Sequence, residues 1–358
     1  MLDNSNQSEG RSRRVGRSKK VVALVVIALL VLTIGYFNRG AIRGALDEFA
    51  SQEFSGGGTS STSFTIAKGD SGSTVAKHLV EKGITKDYGS TLRHIVSASP
   101  TFFPGTYTLP LEISTDKAIE LLTDPGNQLV NKVTIPEGLR LVDIFKRLSS
   151  STGISIQKFE AASASLRGYK LPKAAPSLEG YLFPATYRFD PSLNATQVLT
   201  IMVNRMKEEL NSYGVAKKDW QKTLTLASIV QREARLHDDF YKVSRVFKNR
   251  LEINMPLQSC ATASYGVGSF SIIVTNKILN DDNPYNTYKY AGLPLGPISA
   301  PGSLAIDAVL HPAEGSWLYF VTWNLSSGET IFSNTFAEHQ AGITKWDNWM
   351  AQNPGWDD

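Results

Sequence analysis

One carboxylate in this chain sits where its helix is apolar. The segment LTLASIVQREAR, residues 224–235, has helical spacing, with Leu226, Ile229 and Val230 along one stripe. Glu233 follows those three at i+7, i+4 and i+3, so it lies on the stripe while Gln231, Arg232 and Arg235 point elsewhere. An inward-facing carboxylate loses its water, and desolvation raises its pKa. A carboxylic acid still protonated near neutral pH is what acid catalysis at an ether oxygen requires. The competing reading is structural: Glu233 stands near the helix end, where a carboxylate meets water or pairs with Arg250.

Other chemistries have little to stand on. The five histidines (His78, His94, His237, His311, His339) are scattered and form no HExxH or Cys/His cluster, so neither metal nor other cofactor is expected. GxSxG and P-loop patterns are absent. Cys260 is the only cysteine, which excludes an intrachain disulfide and leaves packing to stabilise the fold.

The elements that must hold Glu233 are mostly helical. Periodicity predicts helices over 195–213, 220–235 and 241–251, a loop-rich stretch after Asn254, strands at 317–322 and 329–333, and a last helix over 336–350. Upstream, 64–67 reads as a strand, 68–73 as a turn supplying helix caps, and 74–82 as a helix presenting Val75, Leu79 and Val80, ended by Gly83. The same design returns at an offset of 69 residues: Thr65-Ile66 matches Thr134-Ile135, Gly69 matches Gly138, Val75 matches Ile144 and Leu79 matches Leu148. Convergent turn chemistry explains such an echo as well as common design does. The structural expectation is two small modules, each a strand with a helix packed on it. The first is similar to the LysM glycan-binding unit, which recognises N-acetylated sugars.

The start of the chain sets a compartment. Residues 21–37 form an uncharged apolar run of 17 residues, about 26 Å as a helix, near the short end for a bilayer core. Six basic side chains (Arg11, Arg13, Arg14, Arg17, Lys19, Lys20) precede it, and positive charge stays inside. A cleaved signal peptide is the alternative; the run ends at Tyr36-Phe37-Asn38-Arg39, a poor cleavage site. Residues 1–20 carry the chain's entire net charge of +4, so the remainder is neutral and gives no nucleic-acid footprint. The spacer around SGGGTSSTS has the composition of a flexible linker. The expected class is α+β, arranged as a cytoplasmic basic tail (1–20), a transmembrane helix (21–37), a flexible linker (38–62), a LysM-like subdomain (63–130) and a larger mixed α+β catalytic domain (131–350).

Several blocks together carry a family resemblance. ASIVQRE (227–233) resembles the catalytic helix of the endolytic murein transglycosylases, the MltG or YceG-like family. GYLFPATYRF (180–189) with Glu179 before it, VFKNRLEINMPLQS (246–259), PYNTYKYAGLPLGPISAPG (284–302) and HPAEGSWLYFV (311–321) resemble further blocks of that family, in its order and spacing. The resemblance implies an enzyme of the cytoplasmic membrane, anchored by one pass with its N-terminus inside and its catalytic domain outside. Its substrate is peptidoglycan, and its candidate partners are cell-wall synthases. Such enzymes cut the MurNAc–GlcNAc β-1,4 bond within nascent strands and leave 1,6-anhydroMurNAc ends, a step that terminates glycan elongation. Glu233 matches the family's acid and base. It protonates the glycosidic oxygen, then takes the proton of the C6 hydroxyl that attacks C1, so one carboxyl serves where most glycosidases need two.

Around it, Asn249, Gln258, Asn286 and Thr287 offer neutral hydrogen-bonding groups suited to N-acetyl and hydroxyl groups. Tyr181, Tyr187, Tyr285 and Tyr288 offer flat faces for sugar rings. About half of these eight are expected to tie loops to the core instead. Glu179 and Glu137 read as structural. The chain departs from the pattern at Ser259-Cys260-Ala261, where the family shows Thr-Asp-Pro, and near Trp323-Asn324, where it often has an Asp-Gly turn. Two competing readings remain: a hydrolase, which needs a positioned water and a second carboxylate, and a non-catalytic peptidoglycan-binding scaffold of the cell-wall synthesis machinery.

Overall fold

The computed structural model describes residues 53–58, 60–270 and 274–354. The expected tail, transmembrane helix and most of the linker lie outside the described residues. Among the described residues no helix is long and apolar enough to cross a membrane. The architecture is mixed α+β, and the chain divides into two units, Met1–Leu129 and Val130–Asp358.

In the first unit β1 (Ser61–Ile66) leads into α1 (Gly72–Glu81) and α2 (Tyr88–Ala98); β2 (Gly105–Pro110) then pairs antiparallel with β1, and α3 (Thr115–Thr123) follows. The alternation of β1 turns Phe64 and Ile66 inward. There they meet Val75 and Leu79 of α1, Tyr107 and Leu109 of β2, and Leu122 of α3. Ser71 caps α1 by accepting from Thr74 N. Helix α2 escapes the periodicity because its inward face carries hydroxyls: Ser90 and Thr91 are buried beside Ile95, and Thr91 Oγ1 donates to Thr85 Oγ1 at 2.9 Å.

The second unit opens on the same order. Strand β3 (Asn131–Thr134), α4 (Leu141–Thr152), α5 (Ile156–Ser163) and β4 (Thr186–Phe189) follow one another, with β3 and β4 antiparallel. The echo in the sequence has matching geometry. Gly69 and Gly138 both take positive φ (97° and 75°), as do Gly83 and Gly153 (69° and 72°). Thr65 pairs with Thr106 across the first sheet at 3.1 Å, and Thr134 with Thr186 across the second at 3.0 Å. Each copy is larger than the strand and helix expected, since a second helix and a closing strand complete it.

The rest of the second unit builds the helical body. Helix α6 (Ala195–Ser212) starts in a capping box between Asn194 and Gln197 and packs on the β3–β4 module through Val198, Leu199 and Met202. Helix α7 (Trp220–Glu233) is buried almost all round, as a central helix should be. It packs against α8 (His237–Glu252), the short α9 (Cys260–Gly266) and α11 (Ser303–Leu310); the single turn α10 (Asn276–Leu279) lies between the last two in sequence. A hairpin of β5 (Tyr319–Asn324) and β6 (Glu329–Ser333) and the final helix α12 (Phe336–Gln352) close the chain. Helix α12 crosses β5 at Gly342, where a Cβ would come within 2.8 Å of Val321 Cγ1.

Candidate active site

Glu233 is the last residue of α7, two residues short of the expected helix end, because Ala234 turns extended at φ −80° and ψ 146°. The chain leaves the helix there, and the Glu233 carboxyl meets the start of α9. Its Oε1 accepts from Ser259 Oγ at 2.5 Å, and the backbone N–H of Ala261 also donates to it. Burial pushes the carboxyl above the usual carboxylate range; the Ser259 and Ala261 hydrogen bonds pull the other way, as do the charges of Arg232 and Arg250, and burial wins. The C-terminal end of α7 acts in the same direction as burial, since its carbonyls disfavour a nearby anion.

Two cavities border the carboxyl. A cavity of about 320 Å³ is lined by Glu233, Arg250, Gln258, Tyr288, Tyr319 and His339 among others. A smaller one, about 140 Å³, lies against Glu233, Arg140, Arg232, Cys260 and Ser264. Cys260 borders both, with its Sγ 3.0 Å from Tyr288 Oη. Glu233 is the only carboxylate among the described residues lining these two cavities.

The scaffold behind the carboxyl is a buried polar lattice. Ser259 N donates to Thr287 Oγ1 (3.1 Å), Thr262 Oγ1 donates to Ser259 O (2.7 Å), and the Thr262 and Thr287 hydroxyls lie 2.8 Å apart. Gln258 carries positive φ (49°) and donates its N–H to Thr287 O at 3.0 Å. Helix α7 is pinned to the 284–302 loop by Ser228, whose Oγ accepts from Ile298 N at 3.0 Å. Arg250, buried, donates to Leu318 O (2.6 Å) and Leu257 O (2.7 Å), so it stitches α8 to the site loops without an ion pair to Glu233.

Of the residues expected to hold sugar, Gln258 and Tyr288 share the larger cavity with Glu233. Others take framework positions. Tyr181 is fully buried with its hydroxyl donating to Gln221 Oε1 at 2.7 Å, so no face of its ring is open to a sugar. Tyr187 is buried, stacked on Phe189 at 5.2 Å, and donates to Phe183 O at 2.6 Å. Asn286 is fully buried and ties its own loop, donating to Asp281 O (2.8 Å) and Leu279 O (3.0 Å). Thr287 belongs to the lattice under Ser259. For these four, direct sugar contact gives way to support. Asn249 donates to Trp317 O at 2.9 Å, and Tyr285 packs on Tyr265 at 4.8 Å; neither lines the two cavities. Sequence reasoning missed Arg140, Ser264, Tyr319 and His339. They come from separate segments, and only folding brings them together.

Glu179 has the structural place expected. It is buried and accepts from Leu141 N, at the start of α4, with both oxygens (3.1 and 3.0 Å), and from Tyr265 Oη at 3.1 Å. The next residue, Gly180, takes φ +76°, and a Cβ there would lie 2.4 Å from Pro297 Cβ, so only glycine fits.

The YceG-like family matches residues 64–345. An endolytic murein transglycosylase of Bacillus subtilis is 30% identical over 302 residues, covering 78% of this chain and 83% of that protein. One from Streptococcus pneumoniae is 28% identical over 276 residues, and there the match spans 67% of this chain but only 50% of the longer relative. The crystal structure of a YceG-like protein from Listeria monocytogenes superposes with a TM-score of 0.52 at 30% identity, covering 79% of this chain and 99% of that one.

Proposed function

Because the chain belongs to the YceG-like family, we propose that Glu233 is the single acid and base of a lytic transglycosylase acting on peptidoglycan. The enzyme class is that of the curated relatives. The observation that carries the role of Glu233 is a half-buried carboxyl whose desolvation raises its pKa, oriented by Ser259 and Ala261, and bordering two cavities. A polysaccharide lying across both cavities would be met in its interior, as an endolytic cut requires.

In the first step the protonated Glu233 gives its proton to the oxygen linking MurNAc C1 to GlcNAc, and the C1–O bond breaks. In the second the carboxylate takes the proton of the C6 hydroxyl, whose oxygen bonds to C1. The products are a 1,6-anhydroMurNAc end and a free GlcNAc hydroxyl, with no water consumed and Glu233 protonated again. A hydrolase would call for a second carboxylate to activate water, and none lines either cavity among the described residues. The alternation β1-α1-α2-β2 with its paired outer strands supports a LysM-like, glycan-holding role for the first unit. The apolar run 21–37 and its basic flank support a single-pass anchor that keeps the catalytic unit outside the membrane and beside nascent strands.

The test is product analysis. The full chain in detergent should release 1,6-anhydromuropeptides from uncrosslinked glycan, and Glu233→Gln should abolish them, a loss of about 100-fold or more. Ordinary reducing MurNAc ends would indicate hydrolysis instead. Binding without any product would indicate a scaffold.

A further inference from the structure

The smaller cavity beside Glu233 holds charge that the reaction above does not use. Arg140 is 9% exposed, yet its guanidinium has no hydrogen-bond or ion-pair partner among the described residues. It is held by stacking instead, 4.3 Å from the Phe270 ring centre and 5.4 Å from that of Tyr265. Arg232 lines the same cavity and makes only a long bond to Gly138 O, at 3.4 Å. Ser264, 4% exposed, lines the same cavity, and its buried Oγ has no hydrogen-bond partner. Arg140 also borders a larger opening beside Glu179 and Tyr265. On the Glu233 side, its unpaired guanidinium, that of Arg232 and the orphaned Ser264 hydroxyl form a receptor for an anion.

Glu233 lines the same cavity, but burial favours its neutral form and Ser259 and Ala261 already engage it. Other nearby protein groups do not supply the anion either. Glu179 faces Arg140, but burial lifts its pKa to about 7, so it is not a dependable counter-charge. Asp143 acts on Arg140 more weakly than Arg232 and Glu179 do, and its carboxylate is engaged by Lys146 at 2.9 Å. Burial and the charge of Arg232 both press on the Arg140 guanidinium, a cost that an anionic ligand would relieve.

We propose that this cavity binds the carboxylate arm of the muramyl residue next to Glu233, and so fixes which of the strand's two alternating glycosidic bonds is cut. The inference rests on the peptidoglycan reading above. In such strands only the muramyl sugar carries an acidic arm. Where the peptide has been removed, the carboxylate belongs to the lactyl group; where it is present, the stem peptide supplies it. N-acetylglucosamine offers the two arginines only neutral acceptors, which bind a guanidinium more weakly than a carboxylate does. Seating the muramyl arm in the cationic cavity places that sugar's C1 on the Arg140 side of Glu233 and sends the following sugar toward the aromatic cavity of Tyr288 and Tyr319.

The experiment is a titration of the full chain carrying Glu233→Gln, so that binding is read without turnover. The probes are muramyl tetrasaccharides with and without stem peptide, each as the free acid and as the methyl ester. The free acid should bind about tenfold tighter than its ester, and Arg232→Gln or Arg140→Gln should erase that preference while leaving ester binding unchanged. A preference confined to peptide-free probes assigns the lactyl carboxylate, and one confined to peptide-bearing probes assigns the stem. Arg232 is exposed, so its variant tests the idea even if Arg140→Gln does not fold. Equal affinity for acid and ester, or a preference that survives Arg232→Gln, overturns the proposal. Absence of 1,6-anhydro products from the chain with Glu233 intact would overturn the transglycosylase reading, while the titration still decides the carboxylate site.

Discussion

Glu233 is poised by opposing effects of known sign, and that makes its neighbours testable. Ser259 Oγ donates to the carboxylate and favours its ionised form. In Ser259→Ala the acid should therefore stay protonated to higher pH, and its orientation should loosen. The expected outcome is a rate about tenfold lower or worse, from loss of a hydrogen bond to a charged group, with the high-pH fall in activity moved upward. A pH–rate profile checks this, because a folding defect would lower the rate without moving the limb. Cys260 is exposed and borders both cavities. The residue is reachable, but its sulfur, 3.0 Å from Tyr288 Oη, is partly desolvated and its thiol pKa is pushed up, so alkylation should be slow; once complete it should block the cleft and abolish activity. Cys260→Ser should be resistant, a clean readout in a chain with one cysteine. An alkylated, active enzyme would show that substrate does not pass this side chain. Residue by residue, the site was half legible. Spacing alone put Glu233 on an apolar stripe, because helical period is local. Tyr181 and Tyr187 were misplaced because composition supplies an aromatic face without saying which way it turns. Arg140 was invisible because its meeting with Glu233 is a tertiary event.

At the scale of elements, the α4 terminus carries a titratable group inside the fold. Glu179 accepts from Leu141 N at the first turn of α4, yet burial raises its pKa from 4.5 to about 7. A carboxyl whose folded pKa is raised stabilises the fold most at low pH. That contribution is complete below about pH 4.5 and is lost as pH rises through about 7. The largest loss such a shift allows is about 3 kcal/mol. Thermal unfolding of the native chain should therefore weaken between pH 5 and 7, and Glu179→Gln, neutral throughout, should flatten that slope. An unchanged slope in the variant would exclude Glu179 as its source. The elements themselves were legible where apolar spacing was strong, as in α6, α7 and α12. The spacing does not show helices α2, α3 and α5 or strands β2 and β4, and the stretch after Asn254, expected as loops, holds α9, α10 and α11. Helix α2 hides behind buried hydroxyls, and β4 is four residues long, defined by pairing with β3. The 69-residue echo held more information than its matched letters, since both copies place glycines at the same left-handed turns.

On the scale of the whole molecule, each hydrophobic core closes within its own unit. The Phe64–Leu122 core lies in the first, and both remaining cores lie in the second. Residues 130–358 should therefore unfold cooperatively when made alone, and removal of the first unit becomes an informative cut. If that unit holds glycan as proposed, its role is to raise the local concentration of strand beside Glu233, an effect of linkage that adds no contact at the reacting bond. The truncated chain should then match the full chain in kcat on every substrate and in KM on fragments too short to reach both units. On long strands its KM should rise about tenfold, a modest share of what tethering provides. Steady-state kinetics on glycan of graded length separates these cases. A KM that is equal for both chains at all lengths would show that the first unit has no part in holding substrate. A fall in kcat on short fragments would show instead that it shapes the site itself.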